Sequence, residues 1–217
     1  MKNLIFYTAL ISCLILPVSC LTSLQPLVTD NNIITDERIT GNWQGEDATI
    51  QIKKLEQLPE MYGDRDRRTF TRGNTDTAFL SKTYEVTFNK NGVLYSMVGA
   101  ITSIQNDLFI EFSPMLVKDP KNAEGSGFES NYTYLPSFTI ARLNIKNNQA
   151  IDIQFLNGDI IKEQIKAGNM RIKHEYNALF NTFLITASSS ELKQFLEKYG
   201  NDDRLYSTQN SITLTKK

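Results

Sequence analysis

The sequence predicts a mainly β protein with two or three short helices: an antiparallel meander forming a barrel or strongly curled sheet, with a C-terminal amphipathic helix packed against it. Three observations carry this expectation. Apolar and polar residues alternate at Ile50-Gln51-Ile52-Lys53, Tyr84-Glu85-Val86-Thr87-Phe88 and Ile151-Asp152-Ile153-Gln154-Phe155, the period-two pattern of strands with one buried face. Short polar turns separate such runs at Asn89-Lys90-Asn91-Gly92, Gln105-Asn106-Asp107 and Lys146-Asn147-Asn148, and connections this short join antiparallel neighbours. Near the C-terminus Leu192, Phe195, Leu196 and Tyr199 fall at i, i+3, i+4 and i+7, a single apolar stripe on a helix.

The chain opens with Lys2 and a mostly apolar run from Leu4 to Leu16, then Pro17-Val18-Ser19-Cys20. The apolar run covers 13 residues, whereas a membrane-spanning helix needs about 20, so a secretion signal is expected rather than a permanent span. Cleavage before Cys20 would leave its thiol to take a diacylglyceryl group as a thioether and its freed amine to take a further acyl chain. One acyl chain holds a protein marginally, and two or more anchor it stably. The alternatives are an ordinary signal with an incidental cysteine, or attachment at Cys13 after Leu10-Ile11-Ser12, which leaves a shorter signal and a hydrophobic mature start. Pro17 stands where a leucine is usual before a lipid-attachment cysteine. The expected organisation is a signal peptide at 1–19, a lipidated start and tether at 20–37, with Pro26 and Asp30-Asn31-Asn32, and one β-rich domain at 38–217.

Removal of residues 1–19 leaves 198, enough for a domain with its own core. The whole chain carries 23 basic and 24 acidic residues. That near-balance argues against nucleic acid as a partner, which would demand a basic stripe, and gives no polybasic case for a membrane. Both cysteines, Cys13 and Cys20, lie in the signal region, so the mature fold has no disulfide and must be held by its core.

Within the domain, Gly41-Asn42-Trp43 leads into a strand over 48–55, and residues 56–81, with Pro59, Gly63 and Gly73, break the pattern. Strands are expected at 84–88, 93–98 and 108–112. A second long loop over 113–131 holds Pro114, Pro120, Gly125 and Gly127. Strands resume at 138–145 and 151–155, and a short helix is expected from Ile160 to about Ala167, capped by Asp159 and stopped by Gly168. Thr182 to Ala187 and Ser211 to Thr215 read as strands flanking the C-terminal helix, which Ser188 and Glu191 cap with capping-box spacing before Gly200 ends it.

The landmarks Cys20, Ser23-Leu24-Gln25-Pro26-Leu27, Gly41-Asn42-Trp43, Leu135-Pro136-Ser137-Phe138 and Leu184-Ile185-Thr186-Ala187-Ser188 through Tyr199 resemble, in order, those of a family of uncharacterised bacterial envelope lipoproteins. The resemblance spans most of the mature chain and implies location and fold, with no assigned reaction. The Gly-x-Trp opening is also similar to the lipocalin signature and implies a lipocalin-like β domain, the tryptophan closing the base of a barrel. Such a tryptophan marks a ligand site or plugs an end, and both remain open at this stage.

Chemistry is sparse. His174, the single histidine, lies in Arg171-Ile172-Lys173-His174-Glu175, where a hydrogen-bonded structural role competes with pairing to a serine and an acid; no Gly-x-Ser-x-Gly elbow presents a nucleophile. One histidine and no mature cysteine leave no zinc or other transition-metal set, and no cofactor is expected. Asp64-Arg65-Asp66-Arg67-Arg68 reads as a solvated loop tip or, through its arginines, a contact for an anionic partner. The adjacent acids of Glu46-Asp47 and of Asp202-Asp203 would point to opposite faces of a strand, so neither pair forms an acid/base couple by itself. Gly125-Ser126-Gly127 is too short for a phosphate cradle, and Phe128, Tyr132 and Tyr134 cover core or rim a pocket.

The function these observations favour is a lipid-anchored cell-envelope protein, non-enzymatic, with a binding or accessory role. It would reach the membrane through the acylated N-terminus at Cys20, with a small apolar ligand or an envelope protein as partner, at the outer membrane facing the periplasm. The alternative is a periplasmic hydrolase using carboxylate or serine chemistry.

Overall fold

The computed structural model describes residues 21–55, 77–90, 92–114, 137–179, 182–206 and 211–217. Its strands are β1 (Thr22–Ser23), β2 (Ile33–Ile34), β3 (Gly41–Gln44), β4 (Ala48–Lys54), β5 (Tyr84–Lys90), β6 (Val93–Ile104), β7 (Asp107–Pro114), β8 (Phe138–Lys146), β9 (Ala150–Phe155), β10 (His174–Asn177), β11 (Thr182–Ile185) and β12 (Ile212–Lys216). Three helices accompany them: α1 (Thr77–Leu80), α2 (Gly158–Lys166) and α3 (Ser189–Tyr199).

Strands β3 to β9 form the expected meander, and β12 closes it. Leu214 of β12 pairs with Ile151 of β9, Lys216 pairs with Trp43 of β3, and Leu143 of β8 pairs with Ile153 of β9. The result is a closed, antiparallel, eight-stranded barrel, which removes the unpaired edges of an open sheet. The turns follow from residues that tolerate positive φ: Gly92 at +80°, Gln105 at +56° and Asn147 at +64°.

The alternation that predicted the strands sorts their side chains. On β7, Ile110 and Phe112 point into the barrel, while Phe109 and Glu111 lie on its outer wall. Inside stand Trp43, Ile50, Ile52, Tyr84, Val86, Ile101, Ile151 and Ile153. Trp43 closes this core: its Nε1 donates to the Ile39 carbonyl at 2.7 Å, and the Lys216 ammonium lies 5.3 Å from its ring. Gly41 makes room for that lysine, since a Cβ there would stand 2.9 Å from Lys216 Cε, and its φ of +130° suits glycine.

A second core lies outside the barrel. Leu192, Phe195 and Leu196 of α3 meet Phe109 and Ile140 of the outer wall, Ile161 of α2, and Phe183 and Ile185 of β11. The helix begins as expected, with Ser188 and Glu191 forming a reciprocal capping box. The other helix begins earlier than expected and under a different cap: the Asn157 side chain accepts from the amides of Asp159 and Ile160, and Asp159 sits in the first turn. Asn and Asp cap equally well, and the chain reverses two residues sooner than the apolar pattern indicates.

In place of the tether expected over 20–37, the described residues from Leu21 onward belong to the fold. Leu21 is 2% exposed, and Leu27, Val28 and Ile33 are buried. Thr22 and Ser23 pair with Thr139 and Phe138 on one side and, in parallel, with Leu184 and Ile185 on the other. The buried Glu111 carboxylate accepts from the amides of Leu27 and Val28, and Tyr84 OH accepts from Asp36 N at 2.7 Å. All these partners lie far away in the chain, so local periodicity holds no trace of them. Strands β1, β11 and β10 thereby extend sideways from the first residues of β8 as a flange.

Candidate outer groove

A residue that borders a water-sized void retains accessible surface. Trp43, Val86, Ile101, Ile110, Ile151, Ile153 and Leu214 of the barrel interior are all 0% exposed. These side chains pack against one another as a core, bordered by the partly buried Phe88, Met97, Leu108, Ile145, Phe155 and Ile212. Trp43 belongs to this core.

A concavity lies outside the barrel, between α3 and the segment that links α2 to β10, with a volume of about 700 Å³. That is within the range of small-molecule sites. Its position follows from two local rules. Gly168, at a φ of +76°, ends α2 and turns the chain back, so that residues 169–173 run alongside α3. The stripe of α3 is wider than the wall it covers, so Phe195 faces core while Tyr199 remains half-exposed at the groove.

The groove has an apolar floor and a charged rim. Met170, Ile172, Phe195 and Tyr199 supply the floor, with the Phe195 and Tyr199 ring centroids 5.1 Å apart. Arg171, Lys173 and Lys198 supply three cations against one carboxylate, Glu191. Lys173 Nζ lies 3.0 Å from Glu191 Oε1, and Lys198 Nζ lies 4.9 Å from the Tyr199 ring. The Ser188 backbone amide, then the Lys173 ammonium and the Ser188 hydroxyl, hold the Glu191 carboxyl down at about 2. Glu191 is thus a spent charge, committed to the helix cap, and the rim is net cationic.

His174 lies at one end of this groove. Its ring packs 5.1 Å from Phe183 and its Nδ1 is 2.9 Å from the Ile172 carbonyl. A carbonyl only accepts, so Nδ1 carries the hydrogen and the ring is held in the hydrogen-bonded structural manner.

The other sequence candidates are kept apart. Asp47, at the β3–β4 turn, pairs with Lys90 at 2.8 Å, and that ammonium lowers its carboxyl from the usual range. Asp202 caps a short turn and is lowered by its bonds to Arg204. Asp203 pairs instead with Arg142, whose guanidinium lies 4.0 Å over the Tyr206 ring. Each acid of the two adjacent pairs that forms an ion pair therefore has its own cation. No group of three or more metal-ligating side chains exists among the described residues. Cys20, Asp64-Arg65-Asp66-Arg67-Arg68, Gly125-Ser126-Gly127, Phe128, Tyr132 and Tyr134 lie outside the described residues.

The cationic rim was within reach of the sequence: Arg171, Lys173 and Lys198 flank the two segments that meet. What the sequence does not show is that the segments meet. The fold and groove define the class as a closed antiparallel β-barrel with a helical outer layer. No family model, curated protein or solved structure matches the chain.

Proposed function

We propose that the chain is a lipid-anchored protein of the bacterial cell envelope, acylated on Cys20, that acts by binding at the outside of its barrel. The single observation that carries outside binding is the groove of about 700 Å³ beside α3, with its apolar floor and cationic rim. The anchor is supported by the Leu4–Leu16 run ending at Ser19-Cys20 and by the resemblance to envelope lipoproteins. The groove suits a partner with an anionic group for Arg171 and Lys198 and an apolar or aromatic body for Phe195 and Tyr199.

The test is purification of the intact protein from detergent-solubilised membranes, with mass spectrometry of the N-terminal peptide and of everything that remains bound. The N-terminal peptide should carry acyl mass on Cys20, and Cys20→Ser should leave the detergent phase. A bound anionic species should be lost in Arg171→Glu/Lys198→Glu. A Cys20→Ser protein that still partitions into detergent would defeat the anchor, and a bound species unaffected by the charge reversal would defeat the groove.

A further inference from the structure

The groove beside α3 has one wall made of main chain. Every residue from Gly168 to His174 lines it, whereas an extended segment that met it with side chains alone would contribute every second one. Opposite, α3 presents a single face, Glu191, Gln194, Phe195, Lys198 and Tyr199, at i, i+3, i+4, i+7 and i+8. The two walls are tied at both ends. Tyr199 OH donates to the Asn169 carbonyl at 3.3 Å, and Lys173 Nζ lies 3.0 Å from Glu191 Oε1. The helix from Glu191 to Tyr199 covers about 12 Å, and the chain from Asn169 to Lys173 reaches at most about 14 Å. The main-chain wall therefore runs near full extension.

Strand alternation fixes which backbone groups of that wall face α3. The Thr186 amide donates to the Lys173 carbonyl at 3.0 Å, which continues the β10–β11 register by one pair. The Asn169 carbonyl faces the same way, toward Tyr199. Arg171 lies midway between them, so its N–H and C=O point into the groove. The register would bring Ser188 opposite Arg171, but the cap of α3 withdraws it: the Ser188 amide donates to Glu191 Oε2 at 2.8 Å and its carbonyl accepts from the Leu192 amide. Among the described residues, the Arg171 N–H and C=O have no partner within the chain. A peptide strand exchanges two bonds with such a residue, the repeating unit of an antiparallel ladder, and displaces only water to do so. Charge selects the peptide. Lys173 is held by Glu191, whereas the exposed Arg171 and Lys198 form no ion pair among the described residues. Met170, Ile172 and Phe195 supply apolar surface between them. We infer that the groove receives an extended segment of a partner protein, carrying an acidic and an apolar residue, which adds to Arg171 as a short strand. This rests on the groove binding proposed above.

The experiment pans a phage-displayed library of random heptapeptides on the purified full-length protein and synthesises the sequences that are enriched. These should combine Asp or Glu with an apolar residue, and should bind Arg171→Glu/Lys198→Glu at least about tenfold more weakly. Two measurements separate strand addition from recognition by side chains alone. N-methylation of the peptide, one position at a time, should cost about tenfold where the lost N–H met Arg171, the effect of one hydrogen bond. The Arg171 amide should also exchange its hydrogen more slowly in the complex. Dodecanoate, an anionic amphiphile without a backbone, serves as the second probe and should leave that exchange rate unchanged. A library that yields no binder, or binders indifferent to the charge reversal, would overturn the inference. Binders that respond to the charge reversal but tolerate N-methylation everywhere and leave Arg171 exchange unchanged would overturn strand addition while groove binding stands. Binding of dodecanoate, lost in the charge reversal, without any enriched peptide would have the same meaning.

Discussion

The two apolar cores are assembled from opposite kinds of chain. The barrel interior draws mostly on strands that follow one another through tight turns, with β5, β6 and β7 in unbroken antiparallel register. The outer core gathers Leu21 and Leu27 from the start of the chain, Phe109 and Ile140 from the barrel wall, Ile161 and Met170 from α2 and its exit, and Leu192 and Leu205 from near the end. Local pairing closes small loops at small entropic cost, whereas the outer core has to close long ones. The inner core buries Trp43 and its neighbours completely, and the outer one leaves a groove. The comparison teaches that the barrel is scaffold and that adjustable surface lies where distant segments meet.

The largest effect should come from the inner core. Trp43→Ala removes this fully buried side chain and its bond to the Ile39 carbonyl, and should cost about 3–5 kcal/mol, measured by urea unfolding. Leu192→Ala, in the outer core, should cost about 2–3 kcal/mol. Hydrogen exchange distinguishes the two further. Leu192→Ala should speed exchange in α3, β10 and β11 and leave β5–β7 protected, whereas Trp43→Ala should speed exchange everywhere. Uniform loss of protection in Leu192→Ala would show a single cooperative unit and dissolve the distinction between the cores.

A smaller effect sharpens the boundary between them. Glu111 stands on the outer wall of β7 and accepts from the amides of Leu27 and Val28. Glu111→Ala leaves those buried donors without their acceptor, at about 1–3 kcal/mol. Proteolysis should then cut first near residues 21–34, with the barrel intact. Unchanged resistance there would mean that β1 and β2 are held by strand pairing alone.

What the sequence made legible divides along the same line. Tyr84 to Phe88 announced a strand, Asn-Lys-Asn-Gly a hairpin, and Ser188 to Gly200 a helix, because each signal resides in residues that are neighbours in sequence. Closure by β12 was hidden, because Ile212 to Lys216 carries only a short alternation and its partners Trp43 and Ile153 are distant. The stretch around His174 looked merely polar, yet it forms β10, since three of its four residues are exposed on a flange. Residues 21–37 read as a tether for the same reason: Glu111 and Tyr84, which pin them, carry no mark of that role. The groove was half legible, its cations visible and their convergence not.

The smallest expected effect concerns the charge shared by helix cap and groove. Glu191 has its carboxyl lowered from 4.5 to about 2 by the Ser188 amide, Lys173 and the Ser188 hydroxyl. A depressed folded value means that the ionised form is preferred in the native state. Its contribution is therefore fully present above about 4.5 and is lost as pH falls toward about 2. The side chain is exposed, so the effect belongs to the fraying of α3 more than to the barrel. Glu191→Gln keeps an acceptor for the Ser188 amide and removes the charge, so it should lose the acid-dependent step while retaining the helix. Asp36, Asp47 and Asp202 are also lowered, by Arg38, Lys90 and Arg204, and they make total stability fall with acid in both proteins. The informative quantity is the difference in α3 amide protection between wild type and Glu191→Gln, which should shrink steadily from pH 5 to pH 2. A difference that stays constant over that interval would detach Glu191 from the cap and return its charge to the groove, where it would offset Arg171 and Lys198 and weaken the case for an anionic partner.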